Sequence, residues 1–237
     1  MSRAASLESP ARRVWTPTGW WLDVAFVVAF AALTIALARG HLLGLDVRVA
    51  DWVDGHHPPA LYWPARVFNY LGQGGQVLMP VTIVLAGLLA WRRRSVRPLL
   101  VFAAAFVLTY LTIGPLKVWF DRAAPHFTGP DRAELFNPAA TGAAALSYPS
   151  GHVANALVWY GVIALLLGGL ITLSPRTQVA LRALPPAIVF TTTTYLAFHW
   201  ITDSVAGLLL GLVLTRLMSR WVVPAIMGPL GRESPTR

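Results

Sequence analysis

Six apolar stretches divide this chain, running approximately from Trp21 to Ala38, Gln76 to Trp91, Leu99 to Leu116, Val153 to Leu173, Ala183 to Trp200 and Ser204 to Val223. Each is near the roughly 20 apolar residues that a helix needs to cross a bilayer, the second being the shortest. In hydrocarbon every backbone N–H and C=O must be satisfied within the protein, so spanning segments fold as helices or as closed barrels. Barrel strands alternate in polarity over about ten residues; these runs do not alternate. The expected fold is all-α, a six-transmembrane-helix bundle over residues 20–223, with short interfacial helices in the outward loops. Ser-, Arg- and Pro-rich segments flank it at 1–19 and 224–237 and read as disordered cytoplasmic tails.

Charged residues make up only 12% of the 237 residues, against about a quarter in soluble domains. The absence of cysteine excludes disulfides and thiolate metal sites. A net charge of +9 would suit nucleic acid, but the arginines fall in short blocks between apolar runs, as membrane topology requires. The expected partners are the lipid bilayer and a membrane lipid substrate, with no nucleic acid; oligomeric state is left open.

With six spans, thirteen of the 19 Lys and Arg residues fall on the side of the termini. They include Arg92, Arg93, Arg94, Arg97, Arg176, Arg182, Arg216 and Arg220. This bias places both termini in the cytoplasm of a multi-pass cell-membrane protein, and the loops at about 40–75 and 117–150 outside. Trp20, Trp21, Trp91, Trp119, Trp200 and Trp221 stand at run ends, where amphipathic indoles meet headgroups. Arg12 and Arg13 before the first run, and Ala36-Leu37-Ala38 within it, resemble signal-peptide features. The run is long for that role and is read as a span.

Three polar clusters come to the outer ends of the spans, where polarity is costly and marks function. Lys117 and Arg122 precede Pro125-His126 and could clamp a phosphate; an interfacial basic pair is the plain alternative. Tyr148-Pro149-Ser150-Gly151-His152 opens the fourth span. Ser150 suits an N-cap, Gly151 permits close approach, and a helix start attracts anions. A simple cap with an interfacial histidine explains the same residues. His199 and Asp203 share a face if their segment is helical. A carboxylate on one ring nitrogen would leave the other free to attack, although a structural His–Asp pair fits equally. Together the clusters are equipped for phosphoryl transfer to an imidazole. No acidic cluster suggests a metal site, and no cofactor is expected.

These residues resemble the type 2 phosphatidic acid phosphatase superfamily of lipid phosphate phosphatases and haloperoxidases. Its signature is a lysine followed by Arg-Pro, then Pro-Ser-Gly-His, then Ser-Arg before His-x3-Asp. Pro149 to His152 and His199-x3-Asp203 match fully, and order and topology agree from about residue 40 to 215. Two family arginines are absent: Ala124 stands before Pro125, and Thr192-Thr193 stand where Ser-Arg is usual. The resemblance implies that His199 is the nucleophile, Asp203 its orienting partner and His152 the general acid. It implies that Lys117, Ser150 and Gly151 hold phosphoryl oxygens, with Arg122 reaching in for a missing arginine.

The expected function is therefore a metal-independent lipid phosphatase acting through phosphohistidine on phosphatidic acid, phosphatidylglycerol phosphate or a polyprenyl pyrophosphate. A phosphotransferase using the same site, or a catalytically weak lipid-phosphate-binding protein, are the alternatives.

Overall fold

The computed structural model describes residues 19–56 and 58–228. Residues 1–18 of the first expected tail and 229–237 of the second lie outside them, as does His57. Among the described residues the regular structure is entirely helical: α1 (Trp20–Ala38), α2 (Leu43–Gly55), α3 (Pro59–Asn69), α4 (Met79–Arg93), α5 (Arg97–Phe120), α6 (Gly151–Leu170), α7 (Pro175–Tyr195), α8 (Ile201–Leu217) and α9 (Val223–Met227). A π-helical turn over Gly74–Leu78 leads into α4, and another over Met218–Val222 joins α8 to α9. The chain thus stays helical to Met227, past the expected boundary at 223.

Among the described residues five segments are long and apolar enough to cross a membrane: Trp20–Ala38, Gly74–Arg93, Arg97–Phe120, Gly151–Leu170 and Ile201–Met227. The segment expected as the fifth span becomes α7, which starts earlier and stops earlier than its apolar run. Ser174 caps its start by accepting from Thr177 N at 3.1 Å. Its end is set where Phe198 N and His199 N both turn back to Thr193 O, at 3.0 and 3.4 Å, with Ala197 at positive φ. Residues 196–200 are consequently a turn and not a continuation of the helix. The hydroxyls of Thr191 to Thr194 donate to carbonyls one turn back in α7, so they cost nothing at depth.

α6 is the central helix, buried along most of its length by α4, α5, α7 and α8. Small residues allow the closest approaches. A Cβ on Gly207 would stand 2.4 Å from Ser150 O, and one on Gly211 would stand 3.0 Å from Ala154 Cα. Close backbone contact is how helices gain packing energy without a hydrophobic driving force. Gly72, in the turn before α4, sits as tightly against Val189 and His152.

The bundle has two distinct ends. At one, Asp23 of α1 pairs with Arg216 of α8 and Arg220 of the π-helical turn after it, Arg92 donates to Leu170 O, and Arg97 donates to Met227 O. Asp23 therefore ties α1 to the end of α8 and the turn that follows. At the other end, α2 and α3 occupy the 40–75 segment where two short helices were expected, and the 121–150 loop folds over the starts of α6 and α8. Trp20, Trp21, Trp91, Trp119 and Trp221 are exposed, but Trp200 is 1% exposed. The expectation of an interfacial Trp200 is corrected: its indole N–H donates to Ala123 O at 2.8 Å and the Arg122 guanidinium lies 5.6 Å from its ring centroid.

The α6–α8 contact yields a direct test. Gly207→Ala forces a methyl group onto a backbone carbonyl that no side-chain rotation can relieve, an overpacking cost of about 1–3 kcal/mol. Gly87→Ala, where a Cβ meets open space, should leave thermal stability in detergent unchanged or slightly raised. A Gly207→Ala melting temperature equal to wild type would show that α6 and α8 are not so closely apposed.

Candidate active site

Three stretches distant in sequence meet at the loop-covered end of the bundle, each held by local rules. Ser150 adopts an extended N-cap conformation and its hydroxyl faces Val153 N at 3.5 Å. Its own N–H donates to Asp203 O at 2.9 Å, fastening the start of α6 to the start of α8. The free N–H groups there and the dipole of a 20-residue helix make an anion-attracting terminus. Lys117, in the last turn of α5, crosses this terminus: a Cβ on Gly151 would lie 3.1 Å from Lys117 Cε. Any larger residue at 151 would push the lysine aside. The ammonium donates to Leu146 O at 2.5 Å and Ser147 O at 3.4 Å, leaving one of its three hydrogens for a ligand.

His152 and His199 face each other directly, Nδ1 to Nε2 at 3.4 Å, with ring centroids 5.5 Å apart. Behind His199 stands Ser147, its Oγ 3.1 Å from Nδ1. The same hydroxyl donates to Asp203 Oδ2 at 2.6 Å. A hydroxyl has a single proton. Having given it to the carboxylate, Ser147 can only accept from the imidazole, so this network assigns the proton to Nδ1 and leaves Nε2 with its lone pair toward His152. Asp203 itself lies 3.7 Å from Nδ1 and acts on the ring through Ser147. The expected pairing along a shared helix face is thus revised. Only Asp203 is in α8, at the third helical position, where it also accepts from Trp200 N at 3.0 Å. Burial pushes the His199 imidazole below its ordinary pKa, with Asp203 pulling the other way, which favours a neutral ring.

Arg122 corrects a second expectation. It does not reach toward a phosphate. Nε and Nη2 donate to Ala133 O at 2.9 and 2.6 Å, and Nη2 also donates to Asp46 Oδ2 at 2.6 Å. Nη1 donates to Thr202 Oγ1 at 2.8 Å and Asp203 Oδ1 at 2.6 Å. All five guanidinium hydrogens are engaged, and the side chains of Arg122, Asp46 and Asp203 are fully buried. Burial opposes the charge on Arg122, but the two carboxylates outweigh it and hold its pKa above the ordinary value. Arg122 therefore orients Asp203. Asp46 completes the cluster by accepting from Thr202 N at 3.0 Å and Thr202 Oγ1 at 2.6 Å.

Lys117, Ser150, Gly151, His152, His199 and Asp203 are thus assembled at one place, whereas Arg122 lies behind Asp203 and His126 is exposed. Ser147 and Asp46 were missed. Ser147 has no spacing that sets it apart from any loop serine. Asp46 carries only a weak signal, a carboxylate directly between Leu45 and Val47 in a helix that also holds Asp51 and Asp54.

A model of the PAP2 superfamily matches residues 98–227. Phosphatidylglycerophosphatase B of Bacillus subtilis (strain 168) is 31% identical over 196 residues, covering 81% of this chain and 90% of that protein. Among solved structures, a transmembrane PAP2 type phosphatidylglycerolphosphate phosphatase from Bacillus subtilis superposes with TM-score 0.70 at 23% identity, over 84% of this chain and 94% of that one. Aquifex aeolicus LpxE superposes with TM-score 0.52 at 23% identity, over 75% and 96% respectively.

Removing one partner from a buried ion cluster leaves an uncompensated charge, at a cost of about 3–5 kcal/mol. Arg122→Ala and Asp46→Asn are both expected to lower the melting temperature in detergent and the yield of folded protein. Arg122→Lys should not rescue, because an ammonium cannot fork to both carboxylates. A stable Arg122→Ala protein altered only in KM would instead restore the phosphate-clamp role.

Proposed function

The chain belongs to the PAP2 superfamily, and from that premise we propose that it is an integral membrane lipid phosphatase working through a phosphohistidine at His199. The observation that carries this reading is the face-to-face imidazole pair, one ring backed by a hydroxyl and a buried carboxylate. His199 Nε2 attacks phosphorus as the ester P–O bond breaks, and His152 gives its proton to the departing oxygen. Water then attacks the phosphorus, the N–P bond breaks, and His152 takes the proton from that water. Each imidazole begins the next cycle as it began the first.

The remaining residues divide the electrostatic work. Lys117 and the N-terminus of α6, with Gly151 keeping the approach open, neutralise the phosphoryl oxygens as charge builds in the transition state. Ser150 shapes that terminus, and its fully buried hydroxyl makes it a support for the anion site more than a direct ligand. Asp203, acting through Ser147, stabilises the imidazolium character that His199 acquires on phosphorylation. A phosphoryl group needs more room than 3.4 Å, so the His152 ring swings aside on binding. No step calls for a metal ion.

The substrate proposed is a glycerophospholipid carrying a terminal phosphomonoester, with phosphatidylglycerol phosphate first because the 31% identical relative is named for it. Phosphatidic acid and polyprenyl pyrophosphate are further candidates. α7 is proposed as the sixth span. Its 21 residues rise about 31 Å, near the hydrocarbon thickness. With six spans the arginine-rich end faces the cytoplasm and the histidine pair faces outward.

Purified protein in detergent should release inorganic phosphate from phosphatidylglycerol phosphate in the presence of EDTA. His199→Ala should show no turnover at an unchanged melting temperature, and His152→Ala should lose roughly 10²–10⁴-fold in kcat. Acid quenching with radiolabelled substrate should trap an acid-labile phosphoprotein in wild type but not in His199→Ala. Turnover by His199→Ala, or inhibition by EDTA that added metal reverses, would overturn the mechanism.

A further inference from the structure

Lys117 and the start of α6 supply charge for one phosphoryl group, and Arg122 is wholly spent on carboxylates. A further cation nevertheless stands at the histidine end. Arg66, in the last turn of α3, lines a polar cavity of about 180 Å³ together with Asn69, Tyr70, Gln73 and Phe198. The larger groove on α7, about 460 Å³, lies at the opposite end of that helix between Pro175 and Leu184 and is almost wholly apolar.

The smaller cavity is furnished for an anion. The Arg66 guanidinium lies 5.5 Å from the Phe198 ring centroid and 6.0 Å from that of Tyr62. Stacking of this kind steadies a guanidinium while leaving its edge donors available. Asn69 is buried, with its side-chain amide 3.4 Å from Thr192 Oγ1. Gln73 adds another amide. None of the five lining residues is acidic, so the cation has no counter-charge within the cavity.

The cavity adjoins the reacting groups without coinciding with them. Phe198 precedes His199 in the chain, and its ring centroid is 6.4 Å from that of His152. Among the described residues the ring contacts of Arg66 are to Tyr62 and Phe198, and neither histidine is among them. A ligand group held in this cavity is therefore a different group from the one under attack, since Phe198 lines the cavity and neither histidine does. A substrate whose second phosphate is set off from the first by a glycerol bridge has a separate anionic group to place there.

We propose that Arg66, Asn69 and Gln73 form a subsite for a second phosphate of the substrate, the diester that a glycerol bridge separates from the monoester being hydrolysed. The subsite rests on the phosphatase reading of the histidine pair. It makes the enzyme selective for a lipid with two phosphates over phosphatidic acid, whose one phosphate must occupy the histidine site. Arg66 is a specificity residue and takes no part in bond making.

The test compares kcat/KM for phosphatidylglycerol phosphate and for phosphatidic acid in the same mixed micelles. Arg66→Gln should lower the ratio of the two about ten- to a hundredfold, the worth of a charge-assisted hydrogen bond, chiefly through KM. Gln73→Ala should move it in the same direction by less. Arg48→Gln, an exposed arginine elsewhere on the same side, should leave it unchanged, which separates a local contact from general surface charge. Melting temperatures exclude misfolding as the cause. An unaltered ratio in Arg66→Gln overturns the subsite, whether both activities fall together, placing Arg66 on the transferred group, or neither falls. Wild-type protein inactive on both lipids would instead defeat the phosphatase reading on which the subsite depends.

Discussion

A single buried cation, Arg122, organises the reactive end of this molecule. Its guanidinium joins Asp46 of the short helix α2 to Asp203 of α8 and ties both to the 121–150 loop through Ala133 O. Isolated charges in such surroundings would be prohibitively costly, and here each has a partner and further hydrogen bonds. Asp203 then has one oxygen occupied by Arg122 and the other directed to Ser147 and Trp200 N. It has little freedom left. The imidazole resting on Ser147 inherits that fixity, as the proposed nucleophile must be held in one tautomer and one direction.

The same cluster explains why a bilayer protein can place so much polarity at one end. The histidine end combines a helix N-terminus and a lysine that keep donors for a ligand with a carboxylate fully occupied by side chains and backbone. The opposite end repeats the principle in simpler form, with Asp23 closing α1 onto α8 through two arginines. Between them the bundle relies on small residues and on hydroxyls that bond their own helix. Stability and chemistry are thus spatially separated, except at Gly207, where the tightest helix contact lies directly against Ser150 O.

Loss of the two family arginines leaves the phosphate site less positive than the resemblance would imply. Arg122 does not fill the gap, because its donors are consumed. Arg66, on α3 and outside the matched motifs, lies in the adjoining cavity beside Phe198. A change in where the cations sit is a change in which part of the substrate is recognised. On the proposed reading it links the altered motifs to headgroup selection and not to loss of chemistry.

Continuous apolar runs dictated helices and a membrane, because a backbone in hydrocarbon has no other way to satisfy itself. The helix caps at Ser150 and Ser174 and the gathering of Lys117, His152 and His199 could likewise be read from local signals and from topology. Tertiary structure alone decided the partners. Whether Arg122 meets a phosphate or a carboxylate depends on Asp46, 76 residues away in sequence. Ser147 becomes the link between His199 and Asp203 only because its backbone N–H is fastened to Arg122 O. The helix that was expected to carry His199 ends at Tyr195, since backbone groups of the following turn bond back to Thr193 O. Periodicity and composition report what a segment must bury, whereas hydrogen-bond partners across a fold are chosen by distance and direction, which no local pattern encodes.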